Sequence, residues 1–270
     1  MDTKKYAHIL YETDDKGVAT ITLNRPERMN AFNRKMSGEL ILALDRFAHD
    51  EAGSALVLTG AGRAFSTGED LSNINLDANY DEMCEYARTA LRDYHGIVQW
   101  ILGVQKPVVA LLNGVAAGAG LSIALACDYR IVVGDSDDLK GNRSIFVPAF
   151  ADMGLIADSG MTATLPRLVG KHEAQKWCEL PRYGVSIGKG IALGVVDDPT
   201  TLDIIAKGSP AAYAFSKDAR NNALLYKLNK RVFPWELCAQ TACLQSYYFK
   251  GKARAFLAKQ KAVKEAEAND

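Results

Sequence analysis

Two turns made of very small residues constrain the fold of this 270-residue chain more than any other feature of its sequence. The first turn, residues 60–71, follows an apolar stretch at 55–59, and the second, residues 113–120, follows another at 108–112. Short apolar runs of about four to eight residues that end at turn signals predict buried strands, and glycine lets the backbone approach another group closely. We therefore predict two buried strands whose turns pack tightly together or against a ligand.

The second turn also opens a short apolar helix, which we predict at 121–127. The first N–H groups of a helix have no partner within the helix and carry a partial positive charge, so an anion is stabilised there. For either turn alone, tight packing between strand and helix is the simpler interpretation. Because the two turns form a matched pair, we favour a site for an oxyanion.

Strand and helix patterns alternate along the rest of the chain, which predicts an α/β fold. In the long segment at 80–103, apolar residues recur at helical spacing, and Asn33 can cap an earlier helix. Asp158 and Ser159 are candidate caps for a helix that ends near Gly170. The other predicted elements are strands at 18–23, 129–133 and 144–147, and mainly helix from 210 to the C-terminus.

Composition and charge exclude several classes of protein. The 32 Lys and Arg residues balance 32 Asp and Glu residues, and a neutral surface argues against nucleic acid as a main partner. No apolar run reaches the roughly 18 residues that span a bilayer, and residues 1–11 lack the apolar core of a signal peptide. We expect a soluble, cytoplasmic protein without a membrane or metal site, since the five cysteines are scattered.

Four segments, in one order along the chain, resemble the crotonase (enoyl-CoA hydratase/isomerase) superfamily. They are residues 18–31 with Asn-Arg-Pro-Glu-Arg-Met-Asn-Ala, residues 64–71 with Ala-Phe-Ser-Thr-Gly-Glu-Asp-Leu, residues 106–128 with Lys-Pro and Asn-Gly-Val-Ala-Ala-Gly-Ala-Gly, and residues 154–170. The resemblance implies a spiral of β-β-α units at 1–198 and a C-terminal helical trimerisation region at 199–270. It also implies a homotrimer or a dimer of trimers that acts on an acyl-CoA thioester, with coenzyme A as part of the substrate and no separate cofactor.

The chemistry that this resemblance implies is stabilisation of a thioester enolate by two backbone N–H donors. By position, the donors would be the amides of Thr67 and Ala119. One such donor is worth about 2.7 to 4 kcal/mol in the transition state. The same resemblance gives further substrate-binding candidates beside these donors, namely Ser66, Gly68, Asp70, Leu71, Gly118, Ser122 and Phe150.

The identity of the acid or base follows from what this sequence lacks. Hydratases of the superfamily use two glutamates, whose positions hold Ser122 and Phe150 here. Asp158 stands where the double-bond isomerases, and also the aryl-CoA dehalogenases, carry an aspartate. The resemblance therefore favours an isomerase in which Asp158 moves a proton between two carbons of a 3-enoyl-CoA. Such a base needs a pKa raised toward neutrality by burial.

Four alternatives stay open, of which the first is an enoyl-CoA hydratase that adds water without the two glutamates. Asp158 could be a nucleophile and His95 could activate water, as in the dehalogenases, although Phe150 stands where those enzymes carry a tryptophan. Ser122, Asp158 and His172 occur in the order of an α/β-hydrolase triad, but the last glycine of the nucleophile motif is missing, so we favour a buried serine bonded to its own helix. The protein could also be a non-catalytic acyl-CoA-binding subunit.

The resemblance also suggests contacts with the coenzyme A part of the substrate. Arg25 and Arg28 would pair with phosphates, and the backbone of Ala31 would lie near the adenine. Lys259 and Lys261 resemble a terminal basic helix that reaches the nucleotide. We expect residues 80–100 and 134–143 to shape the acyl pocket.

Overall fold

The computed structural model describes residues 6–133 and 144–267. It contains nine strands within these ranges. The strands are β1 (Ile9–Thr13), β2 (Val18–Leu23), β3 (Ala55–Gly60), β4 (Ala64–Ser66), β5 (Val108–Leu112), β6 (Val115–Ala117), β7 (Tyr129–Val132), β8 (Ser144–Val147) and β9 (Val185–Ser186).

Eleven α-helices lie in the same described ranges. They are α1 (Arg34–His49), α2 (Tyr80–Gly103), α3 (Ala119–Ala126), α4 (Phe150–Met153), α5 (Met161–Val169), α6 (Lys171–Glu179), α7 (Ile187–Ala192), α8 (Thr201–Ile205), α9 (Pro210–Lys227), α10 (Phe233–Gln245) and α11 (Tyr247–Glu267). A π-helical turn at Leu228–Val232 joins α9 to α10.

From β3 to β8, successive strands alternate between two sheets, and this alternation is the predicted spiral of β-β-α units. One sheet has the order β1-β2-β3-β5-β7 and the other has the order β4-β6-β8-β9. The chain runs β3, β4, α2, then β5, β6, α3, then β7, β8, α4, so each turn adds one strand to each sheet before a helix. Within the sheets, only β1 with β2 and β8 with β9 pair in antiparallel register. The predicted fold class is confirmed.

Local sequence signals explain the two long helices near the sheets. Asn33 caps α1 by accepting a hydrogen bond from the Met36 N–H at 2.9 Å, as the sequence predicts. In α2, Asn79 and Glu82 form a reciprocal capping box. The apolar face of each helix packs into the core beside the first sheet.

The predicted cap at Asp158 and Ser159 is wrong. Helix α5 begins at Met161, and its N-cap is Gly160, with φ of 75° and no side-chain cap. The Asp158 side chain instead accepts hydrogen bonds from the Ser159 hydroxyl and from Gln240. Because the turn into α5 is left-handed at Ser159 and Gly160, the carboxyl group is directed away from the helix N-terminus.

The C-terminal helices pack on the spiral. Leu224, Leu228 and Phe233 belong to the same buried apolar cluster as the first sheet. Helix α10 contacts α2 directly. In the parts of the chain that the structure describes, no helix is both long and apolar enough to cross a membrane.

Candidate active site

The two glycine-rich turns lie against each other, as one of the sequence interpretations requires. Each predicted turn contains a short strand, β4 in residues 60–71 and β6 in residues 113–120, and these two strands pair in parallel register. A Cβ atom added to Gly68, whose φ is 81°, would lie 2.8 Å from the Ala117 carbonyl oxygen and 3.1 Å from the Ala119 nitrogen. Only glycine fits this approach, because both the space and the left-handed backbone exclude a side chain.

The prediction that the Thr67 amide is a free oxyanion donor is at odds with the structure. The Thr67 N–H donates to the Met29 carbonyl oxygen, at 3.2 Å. Among the described residues, the amides of Glu69 and Ala119 have no acceptor. Glu69 follows Gly68 directly, and Ala119 is the first residue of α3. These two amides are therefore the ones that an incoming oxygen could use.

Asp158 is buried between α4 and α5, with 5% of its surface exposed. Its two carboxyl oxygens accept hydrogen bonds from the Ser159 hydroxyl and the Gln240 side chain, both at 2.8 Å. Burial, and then the nearby charge of Glu236, raise the pKa of Asp158 to about 7. The burial of Asp158 in the folded protein thus raises its pKa in the direction that a proton-transfer group needs.

His95 is held by Glu236 rather than by Asp158. Its Nε2 atom lies 3.0 Å from a Glu236 carboxyl oxygen, and its ring stacks on Phe233 with centroids 3.9 Å apart. The wholly buried Glu236 also accepts a hydrogen bond from the Gly160 N–H, at 3.1 Å. Burial lowers the pKa of His95 to about 4 and raises that of Glu236 to about 8, so both groups favour their neutral forms.

Glu69 carries a carboxyl group near the turns that the sequence pattern did not single out. Its carboxyl group is partly buried and accepts hydrogen bonds from the hydroxyls of Tyr86 and Tyr94 on α2. Desolvation is the main reason that the pKa of Glu69 is raised to about 7. The one signal in the sequence was an acidic residue at position 69, inside the glycine-rich turn. The helical spacing of α2 does not by itself show that Tyr86 and Tyr94 reach this residue.

A cavity of about 360 Å³ opens beside this carboxyl group. Glu69, Tyr86 and Tyr94 line it on one side, and the exposed Arg34 and Lys35 line it on the other. Helix α2 therefore lines a cavity, and the expectation that residues 80–100 shape the acyl pocket stays a prediction. The second segment expected to shape the acyl pocket, 134–143, lies outside the described residues.

The residues predicted to bind coenzyme A occupy different environments. Arg25 donates to the Asp70 carboxylate at 3.0 Å and to the carbonyl oxygen of the buried Ala31 at 2.5 Å, so its guanidinium group is already paired. Arg28 is exposed on a short 3₁₀ turn. Leu71 is half-buried and follows Asp70. The contacts with coenzyme A stay predictions.

The remaining candidates near the turns have structural contacts. Ser66 is buried, donates to the Asn30 carbonyl oxygen at 2.8 Å and accepts from the Gly68 N–H. Ser122 is buried and donates to the Gly118 carbonyl oxygen within its own helix, which is the interpretation we favoured for it. Phe150 is buried at the start of α4.

The positions of the remaining candidate residues bear on the hydrolase triad, the basic C-terminal helix and a metal site. His172 is exposed on α6, whereas Ser122 is wholly buried, so no Ser-His pair of a hydrolase is assembled. Lys259 and Lys261 are exposed on α11. Within the described ranges, no group of three or more His, Cys, Asp and Glu side chains is arranged to hold a metal ion.

Comparisons with known proteins agree with the fold. The family model described as enoyl-CoA hydratase/isomerase matches residues 13–263. The chain is 37% identical over 195 residues to 1,2-epoxyphenylacetyl-CoA isomerase from Escherichia coli, and the match covers 70% of each chain. It is 34% identical over 177 residues to 4-chlorobenzoyl coenzyme A dehalogenase-2 from Arthrobacter sp, which covers 66% of this chain and 60% of the dehalogenase.

A solved structure extends the likeness over nearly the whole chain. The enoyl-CoA hydratase from Mycobacterium avium subsp. paratuberculosis superposes with a TM-score of 0.79 at 27% identity, covering 94% of this chain and 97% of that one. A spiral α/β protein with two glycine-rich turns in contact, and with a buried aspartate held by Ser159 and Gln240, is thus the class that the fold and site define. The chain belongs to the enoyl-CoA hydratase/isomerase family.

Proposed function

We propose that this protein is an enoyl-CoA double-bond isomerase in which Asp158 moves a proton between two carbons of a 3-enoyl-CoA. The observation that carries the proposal is the carboxyl group of Asp158, which is buried and held by Ser159 and Gln240. The two positions where hydratases of the family carry glutamates hold Ser122 and Phe150. One base that reaches two carbons on one face of the substrate suffices for isomerisation.

In this proposal, the amides of Glu69 and Ala119 stabilise the enolate oxygen, and Glu69 replaces Thr67 in that role. The thioester carbonyl oxygen would sit between the two glycine-rich turns, at the N-terminus of α3. Asp158 would take the C2 proton while the oxygen becomes negative. With a pKa of about 7, this carboxyl group is well matched to accept and return a proton at neutral pH.

The dehalogenase alternative is less well supported by the geometry. That reaction needs a histidine free to activate water beside the aspartyl ester. Here His95 is bonded to Glu236 and stacked on Phe233.

The proposed phosphate contacts for coenzyme A are exposed basic residues, among them Arg28, Lys259 and Lys261. A trimeric assembly is proposed from the family alone.

The decisive experiment compares wild-type protein with Asp158→Asn on 2-enoyl, 3-enoyl, cyclic and halogenated aryl-CoA thioesters. We expect 3-enoyl-CoA to be isomerised by the wild type and turnover to fall at least about 100-fold in the variant, with substrate binding retained, because Asn keeps the shape but transfers no proton. Proton exchange at C2 of acyl-CoA in deuterated buffer should fall in parallel.

Asp152→Asn is a matched control, because Asp152 lies on the adjacent α4 and is half-exposed. It should leave both activities unchanged. Release of halide from an aryl-CoA would support the dehalogenase instead. Tight acyl-CoA binding without exchange or turnover would identify a non-catalytic subunit, and exchange that survives Asp158→Asn would contradict the role of this aspartate.

A further inference from the structure

A second carboxyl group lies close to the place where the enolate would form. The backbone amide of Glu69 is one of the two proposed oxyanion donors, so the side chain of the same residue starts beside the thioester carbonyl. Its carboxyl group faces the cavity of about 360 Å³. Two phenol groups, Tyr86 and Tyr94, fix its position by hydrogen bonds.

This carboxyl group is connected to Asp158 through a short series of bonded residues. Tyr94 contacts Glu69, and the next residue on α2, His95, is bonded to Glu236. Glu236 in turn accepts the Gly160 N–H, two residues after Asp158. Helices α2 and α10 therefore hold both carboxyl groups in place, and the two groups are close enough for the charge of Asp158 to raise the pKa of Glu69.

We propose that Glu69 is a second catalytic proton-transfer residue, which protonates C4 of the 3-enoyl-CoA while Asp158 removes the proton from C2. The inference rests on the proposed isomerase function and divides its proton shift between two groups. The ligand class is a 3-enoyl thioester whose C3–C4 bond lies in the cavity beside Glu69.

The step balances in protons and electrons. The Asp158 carboxylate takes the C2 proton, the C2–H electron pair becomes the C1–C2 double bond of the enolate, and the electron pair of the C1–O double bond moves onto the thioester oxygen, which gains the charge. As the enolate collapses, the C2–C3 double bond forms, and the electrons of the C3–C4 double bond take the proton of the Glu69 carboxyl. For the next cycle, Asp158 loses its proton to water and Glu69 regains one from water through the cavity, so no proton is consumed.

The charges around Glu69 suit this role. Its neighbours are the phenols of Tyr86 and Tyr94 on α2, Asp70 in its own turn, and Asp158 across the cleft. Desolvation raises the pKa of Glu69 to about 7, and the charges of Asp158 and Asp70 add to the shift. Once Glu69 has given its proton, the two phenol O–H groups stabilise the carboxylate that remains. Since the pKa values of Asp158 and Glu69 are both about 7, one can be ionised while the other is protonated.

Two reactions separate the two roles. Proton exchange at C2 of butanoyl-CoA in deuterated buffer needs only Asp158 and the oxyanion donors, because this substrate has no C3–C4 double bond. Isomerisation of 3-enoyl-CoA needs delivery at C4 as well. We expect Glu69→Gln to lower isomerisation about 100-fold more than it lowers exchange, whereas Asp158→Asn lowers both equally.

The variants are designed so that misfolding does not imitate the result. Glu85→Gln changes an exposed glutamate on α2, the helix that carries Tyr86 and Tyr94, and it should leave both reactions unchanged. Glu69→Asp keeps the acid one methylene shorter and should restore part of the isomerisation. If Glu69→Gln does not fold, Tyr94→Phe keeps the ring but removes a donor to the carboxylate, and it should lower isomerisation about 10-fold more than exchange.

The dependence on pH gives an independent readout. Isomerisation should follow a bell-shaped curve centred near the pKa of about 7 of the two groups, since Asp158 must be ionised and Glu69 protonated. In Glu69→Gln the residual rate should rise with pH and then level off, because the limb that falls at high pH is lost.

Several results would overturn the inference. Equal losses of exchange and isomerisation in Glu69→Gln would assign Glu69 a merely structural role, and no loss of either would remove it from the reaction. A bell-shaped curve that persists in Glu69→Gln would also contradict it. If wild-type protein exchanges C2 protons but isomerises no 3-enoyl-CoA, the proposed function itself fails, and the role of Glu69 fails with it.

Discussion

At the scale of single residues, the site concentrates acidic groups in a region from which water is largely excluded. Asp158 and Glu236 are buried, and Glu69 is partly buried beside them. Burial raises the pKa of each group to about 7 or 8, because the charged form loses its hydration. Such an arrangement costs stability, and it is typical of a place where proton transfer is needed.

This cost predicts how stability depends on pH. In the unfolded chain Asp158 has a pKa of about 3.9, whereas in the folded protein its pKa is about 7. Between these values the unfolded state holds fewer protons, so the free energy of unfolding falls as pH rises from about 4 to about 7 and stays low above. Asp158→Asn removes this contribution. Its melting temperature should therefore exceed that of the wild type by more at about pH 8 than at about pH 4, as calorimetry would measure.

The comparison for this prediction is Asp152→Asn, which changes a half-exposed carboxylate. It should produce no stabilisation that grows with pH. An equal gain in melting temperature at both pH values for Asp158→Asn would show that the burial of this charge does not cost stability.

At the scale of elements, the site depends on the close contact of two turns that follow neighbouring strands of the second sheet. The turn after β4 meets the turn after β6, and Gly68 is the residue at the point of contact. Each turn ends a parallel strand, so the spiral brings them to the same end of the second sheet. The separation of the proposed donors therefore depends on this one backbone contact.

Gly68→Ala tests that dependence. The added methyl group would meet the Ala117 carbonyl oxygen at 2.8 Å, in a residue with φ of 81°, so the turns must separate. We expect a loss of about 1 to 3 kcal/mol in the free energy of unfolding, measured with urea, together with a loss of C2 proton exchange. Gly194→Ala is the control, since its φ is 70° but nothing lies within 4 Å. It should cost about 1 kcal/mol and keep the exchange activity. Similar exchange rates in the two variants would refute the dependence.

At the scale of the whole molecule, the C-terminal helices complete the site. Gln240 on α10 binds the Asp158 carboxyl, and Glu236 on the same helix binds Gly160 and His95. Lys217 on α9 is almost wholly buried and donates to Asp128 at 2.6 Å. The helical region and the spiral therefore share polar contacts as well as apolar ones.

A fragment of residues 1–198 tests whether the predicted boundary separates independent domains. We expect it to show no cooperative thermal transition by circular dichroism. Its apolar surface would be exposed where Leu224, Leu228 and Phe233 now pack, and Asp128 would lose the Lys217 ammonium group. The full chain is the control. A fragment that unfolds cooperatively would show that the spiral folds alone.

The sequence determined most of the elements, because their signals are local. Apolar periodicity and caps set the strands at 18–23 and 108–112 and the helix at 80–103 to within a residue. The two turns and Asp158 were also recognisable, since small residues beside strand ends and an aspartate in a familiar motif are visible without coordinates. These features are properties of neighbouring residues in the chain.

The tertiary structure decided which groups are available for chemistry. The Thr67 N–H donates to the carbonyl oxygen of Met29, 38 residues earlier. The Glu69 N–H, by contrast, has no acceptor in the described residues. Asp158 is held by Gln240, 82 residues later, and not by its own helix. The pairing of a donor and the pKa of an acid depend on what surrounds them in space, and distant segments supply those surroundings only when the chain folds.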